Sequence, residues 1–181
     1  PPAPPRRPAR DWRIDLPPAV AAWLDGDAGA APDPADPVFA GNEVRVIASA
    51  RLSLEAAAAR AAAEGVPAVI LSDAIEGEAR EVGRVHAAIA REIALRDRPF
   101  ARPVVLLSGG ETTVTLRGDP GRGGRNTEFL LALAQAAEGT PFAALAADTD
   151  GIDGSEANAG AFADATTATR LRALGLDAGA L

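Results

Sequence analysis

The segment VVLLSGGETT, residues 104–113, joins a short continuous apolar run to two adjacent glycines. Such a run is typical of a strand that helices cover on both faces. Two similar runs precede it, Val44–Ala48 and Ala68–Leu71. Alanine-rich stretches of helical length, Leu52–Glu64 and Glu78–Leu95, lie between the three runs. This alternation predicts an α/β fold in which a mostly parallel or mixed sheet is flanked by helices.

The sequence that follows continues the alternation. Thr112–Leu116 alternates polar and apolar residues, which is the pattern of a half-buried strand. Thr127–Glu138 and Thr166–Leu174 predict helices, and the apolar run Phe142–Ala147 between them predicts a further strand. Because open α/β sheets bind ligands at the carboxyl ends of their strands, the polar residues after each strand are the first candidates for a site.

The amino-terminal residues differ in composition from the rest. Pro1–Arg10 is rich in proline and arginine and predicts a linker or extended arm, and Pro17–Leu24 predicts a short helix. We therefore divide the chain into an arm, residues 1–41, and one α/β domain, residues 42–181. Asp177 has the character of a helix N-cap, but the sequence stops before that helix is built, so we expect the domain to be truncated there.

The composition excludes several classes of function. The net charge of −7 argues against a nucleic-acid partner, which would need a basic face. The absence of cysteine excludes disulfides and cysteine metal sites, and no apolar run approaches the roughly 20 residues that span a bilayer. These features favour a cytoplasmic protein without a membrane partner. All 18 basic residues are arginine, so chemistry that needs an ammonium group must come from outside this chain.

The two adjacent glycines are the first candidate for a site. Ser108, Gly109, Gly110 and Glu111 follow the apolar run, and backbone N–H groups freed by such glycines can form an anion nest. The alternative is a tight turn that leads into a hairpin. His86, the single histidine, lies beside apolar residues at helical spacing and is expected to be a packed or half-exposed flank.

A glycine–arginine segment is the second candidate. Residues 118–126 contain four glycines and two arginines, immediately before an apolar helix. Asn126 is suited to cap that helix, and Arg122 and Arg125 supply paired donors. A helix N-terminus with arginine predicts a phosphate or carboxylate site. The alternative is an exposed loop with solvated arginines.

An acidic segment is the third candidate. Asp148, Asp150 and Asp153 follow the strand predicted at Phe142–Ala147. Clustered carboxylates can hold Mg²⁺ or accept a proton from a substrate hydroxyl. The spacing does not fit an EF-hand, because Ile152 and Ala159 occupy positions that need oxygen ligands. The alternative is a turn built by aspartate side chains.

Taken in order, LLSGGETTVTL, GRGGRN and ALAADTDGIDG resemble the MOFRL domain of type II glycerate kinases, and DAIEGEAREVG resembles the interdomain region of that family. The resemblance implies two α/β domains with the active site in the cleft between them. It also implies phosphorylation of the 2-hydroxyl of D-glycerate by ATP with a divalent metal, taken as Mg²⁺. The larger amino-terminal domain, with the lysine expected at the active site, is then a missing partner. We therefore expect the chain alone to be inactive.

The resemblance implies a role for Arg125 and places Ser108–Glu111 along the cleft, but it gives the aspartates of the acidic segment no exact roles. Arg125 corresponds to the arginine of the GGRN motif, and we expect it to act in catalysis together with Asp150. Asp148 and Asp153, in the same acidic segment, are assigned to the metal. The residues expected to bind substrate or phosphate are Ser108, Gly109, Gly110, Glu111, Arg122, Gly124 and Asn126.

Two other functions stay open at this point. The family often carries the label of an NAD(P)-dependent hydroxypyruvate reductase. That chemistry normally uses a G-x-G-x-x-G turn between strand and helix, but Ser49–Arg51 contains no glycine and His86 is poorly placed for a catalytic histidine. The second alternative is a non-catalytic regulatory or binding module.

Overall fold

A computed structural model describes residues 6–26, 32–116 and 121–176. The chain divides into two compact units, Pro1–Val46 and Ile47–Leu181. The N-cap predicted at Asp177 and residues 118–120 of the glycine–arginine segment lie outside the described residues. No helix among the described residues has both the length and the apolar character needed to cross a membrane.

The first unit is more helical than the sequence predicts. Its described helices are α1, Arg6–Asp11, and α2, Pro18–Asp25, and a 3₁₀ turn lies at Pro37–Phe39. The extended arm predicted over residues 1–10 is therefore wrong from Arg6 onward. The proline of α1 is tolerated because the N–H groups of a first helical turn have no hydrogen-bond acceptor within the helix. The prediction of a short helix at Pro17–Leu24 is confirmed within one residue.

The strand predicted at Val44–Ala48 is wrong. These residues have no regular secondary structure, and Val44 and Ile47 are 90% and 85% exposed. An apolar run becomes a strand only where its backbone N–H and C=O groups find a partner. Neither sheet formed by the described residues includes this segment.

The first sheet of the second unit is a parallel pair. Strands β1, Ala68–Glu78, and β2, Val105–Thr113, run side by side from Ala68 opposite Val105 to Glu78 opposite Thr113. Both strands continue well beyond the apolar runs that predicted them, because polar residues extend the hydrogen-bonded ladder. The separate strand predicted at Thr112–Leu116 is therefore wrong: its first two residues end β2, and residues 114–116 are irregular.

Three helices complete the framework around these strands. Helix α3, Ala50–Ala63, begins where Ser49 Oγ accepts the N–H of Leu52 at 3.3 Å, and it contacts both strands. Helix α4, Ala79–Arg96, joins β1 to β2 and packs on α5, Arg125–Ala136. The helices approach closely because α4 buries small residues four positions apart, namely Ala79, Gly83 and Ala87.

The second sheet is an antiparallel pair. Strands β3, Ala143–Ala147, and β4, Gly160–Asp164, pair with Leu145 opposite Phe162, and α6, Thr167–Ala173, follows β4. Strand β4 was not predicted, because its alanine-rich sequence has no clear alternation. The α/β class with helix-flanked strands is confirmed, and the strand pairing is mixed. A buried core of Leu130, Ala134 and Ala163 joins α5 to this sheet.

Candidate functional site

Two of the segments singled out in the sequence lie against each other at the start of α5. We call residues 121–126 the glycine–arginine loop and residues 148–156 the acidic loop. The N–H of Ser155 donates to the carbonyl of Gly123 at 3.3 Å. Gly124 has no room for a side chain, because a Cβ there would overlap the backbone and carboxylate of Asp153. The glycine therefore allows the acidic loop to reach the helix N-terminus.

Asp153 caps α5 from this distant loop. Its carboxylate accepts the backbone N–H groups of Asn126 and Thr127, each at 2.9 Å, and the side-chain amide of Asn126 at 3.2 Å. Asp153 is fully buried. Burial acts to raise its pKa, but the hydrogen bonds from Asn126 and Thr127 outweigh it and hold the pKa below the usual value of a carboxyl group. Asp153 thus supplies an anion to the positive end of the helix.

The cap changes the predicted helix boundary. Asn126 was expected to be the N-cap, but Gly124 occupies that position and α5 begins at Arg125. The reason is that Asp153 satisfies the free N–H groups, so Asn126 lies within the first turn. The hydroxyl of Thr127 adds a further contact, 2.9 Å from the N–H of Gly124.

Arg125 joins three elements at the mouth of this site. Its Nε and Nη2 donate to one oxygen of Asp148, at the end of β3, over 2.9 and 2.6 Å. Its Nη1 forms an ion pair with Glu111 in β2. The side chain of Asp148 is 17% exposed and that of Glu111 is 69% exposed. Asp148 is therefore a sheltered partner, whereas Glu111 is a solvent-exposed one that an incoming anion can replace.

Of the remaining charged residues of the two loops, Asp150 and Arg122 are exposed, and Glu156 is partly exposed. Asp150 accepts the N–H of Ile152 at 2.9 Å, which is the aspartate-built turn considered as the alternative. Arg122 donates to both oxygens of Glu156, at 3.1 and 2.7 Å. This contact lowers the pKa of Glu156, with the Arg122 hydrogen bond as the largest cause. The structure therefore gives Arg122 a protein partner on the acidic loop.

The metal assignment does not fit the geometry. Among the described residues, no group of three or more His, Asp or Glu side chains could hold a metal ion. Asp148 faces the guanidinium of Arg125, and both oxygens of Asp153 are taken by the start of α5. Carboxylates close in sequence are thus directed to separate partners by the fold.

The glycine pair of residues 108–111 lies inside a strand, not in a loop after it. A Cβ on Gly110 would overlap the backbone of Ile75 in β1, and Gly109 packs beside Leu54 of α3. The predicted anion nest is therefore not formed, because the two glycines serve sheet and helix packing. Ser108 instead has its Oγ 2.9 Å from Nε2 of His86. Sequence reasoning missed this pair because 22 residues separate its members.

Comparison with known proteins places these elements in a family. Residues 104–181, which include β2 and both loops, match the MOFRL family. This part of the chain belongs to the MOFRL family. The MOFRL segment thus contains Glu111, Arg125 and Asp148, the three members of the ion-pair group.

Relatives extend the similarity beyond the MOFRL segment. A "Putative hydroxypyruvate reductase" of Agrobacterium vitis is 48% identical over 168 residues, 92% of this chain and 43% of that protein. A "Glycerate 2-kinase" of Pyrococcus horikoshii is 44% identical over 132 residues, 73% of this chain and 30% of that protein. The chain thus spans less than half the length of either relative.

A solved structure shows the same fold. The crystal structure of a glycerate kinase from Thermotoga maritima matches with a TM-score of 0.80 at 32% identity. The match covers 95% of this chain and 40% of that structure. The α/β framework described above is therefore shared with part of that structure.

Proposed function

We propose that the chain is the carboxyl-terminal part of an ATP-dependent D-glycerate 2-kinase, which converts D-glycerate and ATP to 2-phosphoglycerate and ADP. The observation that carries the proposal is the ion-pair group of Arg125 with Asp148 and Glu111 at the start of α5. Relatives named as glycerate kinases supply the reaction. The same names support ATP as the phosphoryl donor.

Arg125 is proposed as the anion-binding and charge-neutralising group. Asp148 fixes one edge of its guanidinium, which leaves the edge at Nη1 for the glycerate carboxylate or the transferring phosphoryl group once Glu111 moves aside. Arginine suits both ligands because its planar fork matches their oxygens. Phosphoryl transfer depends chiefly on positioning and charge neutralisation. An arginine fixed in place by Asp148 would therefore contribute substantially to catalysis.

Asp150 is proposed to orient or deprotonate the glycerate hydroxyl. It is exposed on the acidic loop, and one of its oxygens holds the local turn. A carboxylate that acts as a base must reach the proton of the hydroxyl directly or through one water. The resemblance implies Mg²⁺ as well, but Asp148 is engaged by Arg125 and Asp153 by the start of α5. The proposal therefore assigns no metal ligand to this chain.

The proposal includes a second domain as partner. The chain spans 43% and 30% of the two relatives described above, so most of each relative has no counterpart in it. The 181 residues contain no lysine. We propose that the lysine and the rest of the cleft come from an amino-terminal domain.

Two parallel assays test the proposal. The full-length protein should release ADP in the presence of D-glycerate and ATP, and should not oxidise NADH in the presence of hydroxypyruvate. The second assay is included because one relative is named as a putative hydroxypyruvate reductase. The 181-residue chain alone should show negligible turnover in either assay. NADH oxidation without ADP release would show that the protein is a reductase and not a kinase. Failure of both assays would favour a binding module.

A further inference from the structure

Both ring nitrogens of His86 have partners. Nδ1 lies 2.8 Å from the backbone carbonyl oxygen of Val82, one turn earlier in α4, and Nε2 lies 2.9 Å from Ser108 Oγ in β2. The ring of Phe129 in α5 meets the imidazole edge to face, with the ring centroids 5.1 Å apart. Contacts from three elements therefore hold the imidazole in one orientation.

These partners decide where the protons lie. A carbonyl oxygen only accepts, so Nδ1 must carry the hydrogen that Val82 receives. In a neutral imidazole the other nitrogen then has a lone pair, so Nε2 accepts and the Ser108 hydroxyl donates. Because its hydrogen is directed to His86, Ser108 presents only lone pairs to any other group.

We propose that His86 is a positioning residue that makes the Ser108 hydroxyl an acceptor for a hydroxyl group of the substrate. The proposal rests on the proposed function and deepens it, because it assigns a substrate group to Ser108. A hydroxy acid such as D-glycerate has hydroxyl groups that can donate to Ser108. Carboxylate and phosphate oxygens need donors, so Ser108 is unsuited to them and Arg125 is suited. Of the two ligands expected for Ser108, substrate or phosphate, this assignment selects the substrate.

The first test measures the imidazole itself. In long-range ¹H–¹⁵N spectra of the full-length protein, the signal that disappears in His86→Gln, or in His86→Asn if the first variant does not fold, belongs to His86. We expect a protonated Nδ1 and an unprotonated Nε2. Ser108→Ala should shift the Nε2 resonance while Nδ1 stays protonated. A ring protonated at Nε2, or an Nε2 resonance unmoved by Ser108→Ala, overturns the proposal.

The second test measures the substrate contact by ADP release from the full-length protein. Loss of one hydrogen bond in Ser108→Ala should raise KM for D-glycerate about tenfold and leave KM for ATP unchanged. His86→Ala should have a similar effect, and His86→Gln should recover part of it, because its amide oxygen can accept from Ser108. Val85→Ala, which changes an exposed neighbour on α4, is the matched control.

The two tests fail in different ways. An unchanged KM for D-glycerate in Ser108→Ala overturns the substrate contact. A full-length protein without kinase activity overturns the proposed function and the substrate contact with it, whereas the spectra still decide whether His86 orients Ser108. An equal loss of activity in Val85→Ala would show that the effect comes from α4 as a whole and would also overturn the proposal.

Discussion

The acidic loop directs two aspartates to the start of α5, and their surroundings differ. Asp153 is fully buried and both of its oxygens accept hydrogen bonds from the first turn of the helix. Asp148 is partly accessible and pairs with Arg125, whose guanidinium also contacts the exposed Glu111. The first arrangement has no capacity left for a ligand, whereas the second contains one partner that a ligand can replace.

The contrast shows that residue type and spacing do not distinguish a structural residue from a functional one within one motif. The two aspartates are five positions apart and have the same chemistry. What differs is the number of protein donors that each carboxylate meets and the access of solvent. Asp153 should therefore affect stability, and the group around Arg125 should affect activity. Four substitutions or conditions test this division.

The largest effect is expected for Arg125→Ala in the full-length protein. If the guanidinium neutralises charge on the transferring group, its removal should raise the barrier by about 3–5 kcal/mol, which lowers the rate by roughly two to four decades. Arg125→Lys should recover only part of the rate, because lysine restores the charge without the planar fork. Steady-state kinetics measure both variants.

A thermal melt and a second arginine control the result. Arg96→Ala removes an exposed ion pair with Glu92 in α4 and should leave the rate unchanged. If Arg125→Ala retained normal turnover, arginine would be removed from the mechanism. A collapsed melting temperature would show that Arg125 acts on the fold, and the division between the two arrangements would not hold.

The next largest effect is expected for Asp153→Ala, and it should be an effect on stability. The variant leaves the N–H groups at the start of α5 without their buried acceptor, which should reduce the free energy of unfolding by about 2 kcal/mol. Urea unfolding measures this change. At temperatures where the variant is folded, its KM for D-glycerate should stay normal. If Asp153→Ala left stability unchanged but abolished the dependence of activity on a metal, Asp153 would be a metal ligand and not a cap.

Acid should weaken the hydrogen bonds that aspartate carboxylates accept near the starts of α5 and α6. Asp164 accepts the N–H and hydroxyl of Thr166, and these hydrogen bonds lower its pKa from 3.8 to about 2. A folded-state pKa below the unfolded value means that this stabilisation is present above pH 3.8 and is lost as the pH falls toward 2. Asp153, whose pKa is also lowered, should act in the same direction.

Urea unfolding at several pH values below 4 checks the linkage. The wild-type protein should lose stability more steeply with falling pH than Asp164→Asn, because the amide cannot titrate. A slope that is identical in the two proteins would contradict the assignment. The comparison with Asp153→Asn then shows whether the buried cap of α5 contributes more than the carboxylate of Asp164.

The smallest effect is expected for Glu111→Gln. The variant removes the exposed carboxylate that competes for Arg125, so KM for D-glycerate should fall about twofold to fivefold, in line with the strength of an exposed ion pair. The kcat should change little. Glu138→Gln, which removes a pairing with Arg172, is the matched control. A rise in KM would show that Glu111 contacts the substrate favourably instead of competing with it.

Helices α2 to α6 were predicted well, whereas α1 was missed and the ends of strands were predicted poorly. Helices α3 to α6 lie within about two residues of their predicted bounds, since spacing, caps and breakers are local signals. Strand β2 continues through the two glycines that predicted a loop, because its partner β1 extends the ladder. The strand predicted at Val44–Ala48 does not form for the opposite reason, because no described strand pairs with it.

By itself, the sequence determined helices α2 to α6, the apolar centres of the parallel strands and the two loops that carry the candidate site. These features depend on neighbours a few residues apart, so composition and periodicity are enough to indicate them. Only the tertiary structure decided that Asp153 caps α5, that Asp148 holds Arg125 and that His86 orients Ser108. Each of these contacts joins residues 22 to 27 positions apart, and hydrogen-bond partners at that separation are chosen by the packing of helices on strands.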